Sequence, residues 1–145
     1  MLKELINKKR YSFHEGFENW EEAIEASCKP LIDEGVIENS YVNSIIANVK
    51  KFGPYIVIAP KICIPHAQEG VVGVNDTAMC FMKTEKPVHF SDDPEHDANL
   101  FFVLASTDSD LHMKNLMEMV SLIEDESVVE KLMATRSVED LKKLL

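Results

Sequence analysis

The chain has 145 residues, of which 46% are hydrophobic and 28% charged, a composition typical of a globular protein of single-domain size. Its 25 acidic and 15 basic residues give a net charge of −10, which repels nucleic acid and anionic membranes and disfavours a nucleic-acid-binding role. The longest apolar run, residues 100–105, is far shorter than the ~20 residues that span a bilayer, and the N-terminus lacks the apolar stretch of a signal peptide, so we expect a cytoplasmic protein without membrane insertion.

The first predicted element is a helix over residues 17–31. Apolar side chains recur there at steps of three and four residues, and Asn19 followed by Glu22 is typical of a capped helix N-terminus. Pro30 lies inside the pattern and should bend or fray the helix, because proline lacks a backbone N–H and its ring clashes with the preceding turn.

A second helix is predicted over residues 41–51, ended by Gly53 and Pro54. After it the apolar pattern becomes that of strands, in short segments separated by Pro, Gly, Asn and Asp. We predict five strands, over residues 55–59, 62–64, 77–82, 87–90 and 98–105.

The C-terminal part of the chain is predicted to be helical again. Apolar residues of segment 108–124 fall on one helix face, two further helices follow over residues 127–135 and 137–145, and Ser137 should cap the last of them. Helices before and after five strands indicate an α/β (α+β) fold, with a single mixed β-sheet of about five strands flanked by helices on both faces, in one domain over residues 1–145.

Several kinds of site have no support in the sequence. Cys28, Cys63 and Cys80 lie in apolar stretches without CxxC spacing, so we expect buried, reduced thiols rather than a disulfide framework or a zinc site. The chain also lacks the P-loop, dinucleotide, HExxH and GxSxG motifs, so any chemistry should depend on histidine.

His66 is the first candidate functional residue, because it follows Pro65 at the end of a predicted strand. Proline fixes its own φ and favours extended backbone for the preceding residue, so the chain enters the loop in a restrained geometry. An imidazole with an ordinary pKa of ~6.5 can be a neutral nucleophile near pH 7. The pattern leaves two interpretations open, a functional histidine and a plain loop histidine.

His112 is the second candidate. It follows Asp108, Ser109 and Asp110, which are good capping residues, so we predict that it lies in the first turn of a helix. Free backbone N–H groups and the positive end of the helix dipole can bind an anion there, such as a phosphoryl group. The alternative is that His112 only borders the apolar face of the helix.

The remaining histidines give weaker indications. His96 lies in the acidic segment 92–97, and carboxylates with a histidine can bind a divalent ion. Adjacent residues of a polar loop rarely converge on one point, so we expect a solvated acidic loop instead. His14 and His89 are interpreted as surface or edge residues.

Three segments of the sequence resemble the IIA component of the bacterial sugar phosphotransferase system. They are YVNSIIANVKKFGPYIVIAPKICIPHAQEGV (residues 41–71), PVHF (87–90) and LASTDSDLHMKNLMEMVSLIEDE (104–126), and the likeness runs in the same order over nearly the whole chain. The resemblance is to the members with the fructose/mannitol-type fold. Within this group it is to the ascorbate-like branch, whose members carry a similar phrase ending in Pro-His.

The resemblance implies a phosphoryl relay. His66 would accept a phosphoryl group on Nε2 from the phosphocarrier HPr and pass it to a cysteine of the cognate IIB component, which serves the IIC permease. His112 would hold the phosphoryl oxygens or orient the His66 ring, whose other nitrogen would bond to a backbone carbonyl. No cofactor and no metal is implied, and the transported substrate would be ascorbate, a pentitol or a related sugar.

The sequence departs from its relatives near the site. Mannitol-type relatives place an arginine there from the helix before the strand, whereas this chain has Asn48 at the aligned position. Asn48, the nearby Lys50 or the backbone would take the place of that arginine. Ascorbate-like members also carry an arginine shortly after the histidine, where this chain has Ala67 and Gln68.

Two other functions stay open. The first is a regulatory domain that is phosphorylated on His66 and signals sugar status without a transport partner. The second is a metal-dependent enzyme built on His66, His96 and His112. Discharge of the phosphate to a IIB protein would exclude the regulatory domain. Elemental analysis that finds no metal bound to the purified protein would exclude the metal-dependent enzyme.

Overall fold

The computed structural model describes all 145 residues, in six α-helices and five β-strands. The helices are α1 (Leu2–Asn7), α2 (Trp20–Asp33), α3 (Asn39–Phe52), α4 (Ser109–Glu124), α5 (Glu126–Met133) and α6 (Val138–Lys142). The strands are β1 (Tyr11–His14), β2 (Val57–Ala59), β3 (Lys61–Cys63), β4 (Ala78–His89) and β5 (Asp97–Ala105), with a short 3₁₀ turn at Pro94–His96. None of the helices has the length and apolar character needed to cross a bilayer.

The five strands form one mixed sheet in the order β1-β4-β5-β3-β2. β4 and β5 are an antiparallel pair at its centre, β1 lies parallel to β4, β3 lies parallel to β5, and β2 pairs antiparallel with β3. The predicted α/β fold with a mixed five-stranded sheet is confirmed. Because β3 and β5 are parallel neighbours, the segments that follow their carboxyl ends leave the sheet at the same end.

Helices cover both faces of the sheet, as predicted. α2 and α3 pack on one face through a cluster that includes Ile24 and Ile45, and α1, α4, α5 and α6 pack on the other through a cluster that includes Leu5 and Met119. Side chains of β5 alternate between the two clusters, so this strand is buried on both faces and its sequence is an almost unbroken apolar run. All three cysteines are buried, as expected, and none is bonded to another.

The number of strands matches the prediction, but two of the assignments are wrong. Residues 77–82 and 87–90, predicted as two strands, belong to the single twelve-residue strand β4. Its register with β5 shifts between Lys83 and Val88, where polar residues and a proline interrupt the apolar pattern that the prediction follows. The total is still five because the sheet contains β1, which the sequence does not predict, since its four residues are too few to establish a period.

The caps of α2 and α3 follow the predicted signals, whereas α6 ends at Lys142, before the predicted end at residue 145, and α1 is not predicted from the sequence. The backbone N–H of Glu22 donates to Asn19 Oδ1 at 2.9 Å, which confirms the N-cap of α2. Pro30 does not end α2, which continues to Asp33, because the fully buried Leu31 anchors the last turn in the core. α3 ends at Gly53, whose φ of 82° lies in the left-handed region that favours glycine.

Candidate functional site

His66 lies just beyond the last sheet hydrogen bonds of the segment that follows β3. The backbone N–H of Ile64 donates to Ile56 O at 2.8 Å, and the N–H of Leu104 donates to Pro65 O at 3.1 Å. The two residues before the histidine are therefore fixed on both sides, and both are buried. This is the restrained entry into the loop that the Pro-His pattern predicts.

The imidazole of His66 is held by its own strand. Nδ1 lies 2.6 Å from the backbone oxygen of Ile64. Because a carbonyl oxygen can only accept a hydrogen bond, the proton of the neutral ring belongs on Nδ1. The lone pair is then on Nε2, which is the arrangement required of a nucleophile that reacts through Nε2.

Tyr55 supports the same histidine from the start of the β2 region. Its hydroxyl donates to the backbone oxygen of His66, and the two rings meet edge to face with 5.3 Å between centroids and 88° between planes. Burial raises the pKa of Tyr55 to about 12, so the hydroxyl stays protonated near neutral pH and can act as a donor.

The charge state of His66 follows from its surroundings. Burial lowers the pKa of His66, the hydrogen bond to Ile64 raises it in part, and the nearby charge of His112 lowers it again. The net direction is downward from the ordinary value, so the ring is neutral at pH 7. A neutral imidazole with a free Nε2 can attack an electrophilic phosphorus atom.

His112 lies in the first turn of α4, as predicted, and is half-buried. The carboxylate of Asp108 accepts from the N–H of Leu111 at 2.9 Å and caps the helix. Thr77 Oγ1 accepts from the N–H groups of Thr107 and Asp108, at 2.9 and 3.0 Å, which ties the start of α4 to the start of β4.

The topology brings the two predicted histidines together. His66 follows β3 and His112 follows β5, and these parallel neighbours end on the same side of the sheet. The two imidazoles are close enough for the charge of His112 to act on the pKa of His66. The site thus combines a fixed, neutral histidine with a second histidine at the start of a helix.

Asn48, which the sequence resemblance suggests in place of an arginine, is buried in α3. Its Oδ1 accepts from the backbone N–H groups of Gln68 and Glu69, each at 2.7 Å. Lys50, the other candidate, is exposed and makes no ion pair within the chain. Sequence reasoning did not assign a role to Tyr55; the only signal was its place in the Phe-Gly-Pro-Tyr phrase.

The ligand set of the metal-dependent alternative, His66, His96 and His112, does not come together. No group of three His, Cys, Asp or Glu side chains could hold a metal ion. His96 Nδ1 lies 2.7 Å from Ser91 Oγ in the acidic loop, and His89 Nδ1 lies 2.7 Å from a carboxylate oxygen of Asp97. His66, His96 and His112 therefore do not form a common ligand set.

Comparison with known proteins gives a family match over nearly the whole chain. Residues 4–145 match the family model "Phosphoenolpyruvate-dependent sugar phosphotransferase system, EIIA 2". The ascorbate-specific PTS system EIIA component of Escherichia coli K12 is 31% identical over 129 residues, which cover 88% of this chain and 83% of that protein.

Solved structures have the same fold. A putative PTS IIA domain from Streptococcus pyogenes M1 GAS superposes with a TM-score of 0.82 and 33% identity, covering 98% of this chain and 92% of that one. Enzyme IIA for mannitol of Escherichia coli, solved in complex with phosphorylated enzyme IIB for mannitol, superposes with a TM-score of 0.78 and 23% identity, covering 94% and 93% of the two chains. The fold is thus the mannitol type, and the chain belongs to the EIIA 2 family of the phosphoenolpyruvate-dependent sugar phosphotransferase system.

Proposed function

We propose that this chain is a phosphoryl carrier that accepts a phosphoryl group from phospho-HPr on His66 and passes it to a cysteine of its cognate IIB component. The observation that carries the proposal is the contact between His66 Nδ1 and the Ile64 carbonyl, which leaves a neutral ring with its lone pair on Nε2. The alignment of residues 4–145 with the EIIA 2 family supports a role in a sugar phosphotransferase system.

In the proposed step, the lone pair of His66 Nε2 attacks phosphorus while the bond between phosphorus and the donor breaks. The proton on Nδ1 stays in its hydrogen bond to Ile64 O, so no proton has to leave the ring. The charge gained by the ring is spread toward that carbonyl. Transfer to a thiolate of the IIB component then breaks the new N–P bond and restores the neutral histidine.

His112 is proposed to hold the phosphoryl oxygens or to orient the His66 ring. Its place in the first turn of α4 gives it the positive end of the helix dipole beside an incoming anion. Residues 62–82 contain no lysine or arginine. A site without several fixed cations nearby does not bind the phosphoryl group so tightly that the relay stalls.

The surface near the two histidines is suited to transient protein partners. Val71 and Val72 follow the His66 loop and are 54% and 52% exposed, and Met113 and Met117 follow His112 and are 56% and 65% exposed. Exposed apolar side chains in the segments that follow the two histidines are consistent with a docking face. The net charge of −10 favours encounter with a basic partner surface, which is the kind of surface that HPr presents in this family.

We extend the proposal to the substrate and the location. The E. coli relative at 31% identity is named as ascorbate-specific, which supports ascorbate, a pentitol or a related sugar as the substrate of the associated IIC permease. A carrier between HPr and IIB works in the cytoplasm, and residues 1–145 act in it as one IIA domain.

The test is a relay assay with purified proteins. The chain is incubated with radiolabelled phospho-HPr, and an ascorbate-type or a mannitol-type IIB protein is then added. We expect label on the chain within seconds and its discharge to the ascorbate-type IIB. No label on the chain would contradict the proposal, and label that no IIB protein removes would favour the regulatory phospho-acceptor instead.

A further inference from the structure

Helix α3 holds the segment that follows His66 along its whole length. Four residues of α3 spaced three or four apart, and therefore on one side of the helix, contact residues 67–70. The contacts are Tyr41 Oη to Ala67 N at 3.4 Å, Asn48 Oδ1 to Gln68 N and Glu69 N at 2.7 Å each, Lys51 Nζ to the Glu69 carboxylate, and Ser44 Oγ to Gly70 O at 3.1 Å.

These contacts are unequal. The Lys51–Glu69 ion pair is exposed on both sides, and such surface pairs contribute little. Ser44 reaches only the far end of the segment, at Gly70. Asn48 is 7% exposed and, of the four α3 side chains, is the only one that accepts from two backbone N–H groups of the segment. Its oxygen therefore dominates the position of this backbone.

Asn48 also determines what the loop can offer to a bound anion. The N–H groups of Gln68 and Glu69 point at Asn48 and are occupied, so they cannot donate to a phosphoryl oxygen. Their bonds instead fix the backbone two and three residues beyond the histidine. Tyr55 bonds to the His66 carbonyl, which lies in the chain between the imidazole-bearing carbon and these two amides. Asn48 does this without adding a positive charge to the site.

We infer that Asn48 is a positioning residue for phosphoryl transfer, which fixes the segment after His66 through its carboxamide oxygen and so determines how the imidazole meets its protein partners. The inference rests on the proposed function of His66. It assigns to Asn48 a task different from direct contact with the phosphoryl group.

The test compares Asn48→Leu, which keeps the number of side-chain heavy atoms and the branch at Cγ but removes the acceptor, with Asn48→Asp, which keeps an oxygen in the same place. Hydrogen exchange of the Gln68 and Glu69 amides is measured by NMR, the His66 tautomer by imidazole ¹⁵N shifts, and phosphoryl acceptance from phospho-HPr by rapid quench. For Asn48→Leu we expect amide exchange at least ~10-fold faster, an Nδ1–H population below the parent's, and transfer slowed ~10- to 100-fold. Asn48→Asp should keep the parental exchange rates and transfer faster than Asn48→Leu.

Asn43→Leu is the matched control, because Asn43 is an exposed asparagine of the same helix and should leave all three readouts unchanged. If Asn48→Leu does not fold, Asn48→Ala carries the same measurements. A parental transfer rate in the folded Asn48 variant would overturn the inference. Slow transfer with unchanged amide exchange would overturn it too, since that result indicates that Asn48 contacts the phosphoryl group directly. Failure of the parent chain to accept phosphate would instead refute the proposed function, and the exchange measurements, which need no phosphate, would still report on Asn48.

Discussion

Replacing Tyr55 with phenylalanine removes one hydroxyl and keeps the ring that packs against His66. The hydroxyl is the donor to the backbone oxygen of His66, and the two ring centroids are 5.3 Å apart. Leaving a buried acceptor unpaired costs ~1 to 3 kcal/mol. Because Tyr55 is half-buried and water can partly replace its hydroxyl, we expect the lower end, a loss of ~1 kcal/mol in the free energy of unfolding.

The same change should affect the chemistry, because the freed carbonyl lets the histidine backbone shift. We expect phosphoryl acceptance from phospho-HPr to slow by ~3- to 10-fold, measured by rapid quench, with the stability loss measured by urea unfolding. Tyr11→Phe is the control, since Tyr11 packs against the cluster on the α1 side of the sheet, and it should leave the transfer rate unchanged. Parental stability together with a parental transfer rate in Tyr55→Phe would refute this account of the hydroxyl.

Three further changes test the surroundings of the site. Gly73→Ala should cost more than ~2 kcal/mol in urea unfolding, because a Cβ there would clash with the Ser40 side chain and lie 2.9 Å from the backbone nitrogen of Tyr41. Gly70 also has a left-handed backbone but no atom within 4 Å of such a Cβ, so Gly70→Ala should cost only ~1 kcal/mol. Asp108→Ala and Asn19→Ala should each lose ~1 kcal/mol by removing a helix cap, but only the former, at the start of the helix that carries His112, should slow phosphoryl acceptance. Finally, burial lowers the pKa of His66, so this histidine binds a proton more readily in the unfolded chain than in the folded one. As the pH falls below ~6.5, the parent should therefore lose free energy of unfolding, measured by chemical denaturation. His66→Gln, which lacks the titrating group, should not show this loss.

Local features of the fold could be predicted from the sequence because they depend on near neighbours. The cap at Asn19, the end of α3 at Gly53 and the apolar strand β5 each follow from residues close to one another in the sequence. β1 and the continuity of β4 could not, because short or interrupted patterns become strands only through pairing with distant neighbours.

The same distinction applies to the site. His66 and His112 could be chosen as candidates from their local positions, at a strand end after proline and at a helix start. Their proximity depends on β3 and β5 being parallel neighbours, which no local pattern specifies. The contacts of Tyr55 and Asn48 join residues 11 to 21 positions apart, so only the folded chain shows that they hold the histidine loop.

The most direct test of the account is to find where the chain carries phosphate after reaction with phospho-HPr. The labelled protein is digested at alkaline pH, which preserves phosphohistidine, and the modified residue is mapped by mass spectrometry, with ³¹P–¹⁵N NMR to identify the nitrogen. We predict one phosphoryl group, on Nε2 of His66, and none on a folded His66→Gln variant. Phosphate on Nδ1 or on another residue, His112 included, or undiminished labelling of His66→Gln, would contradict the account.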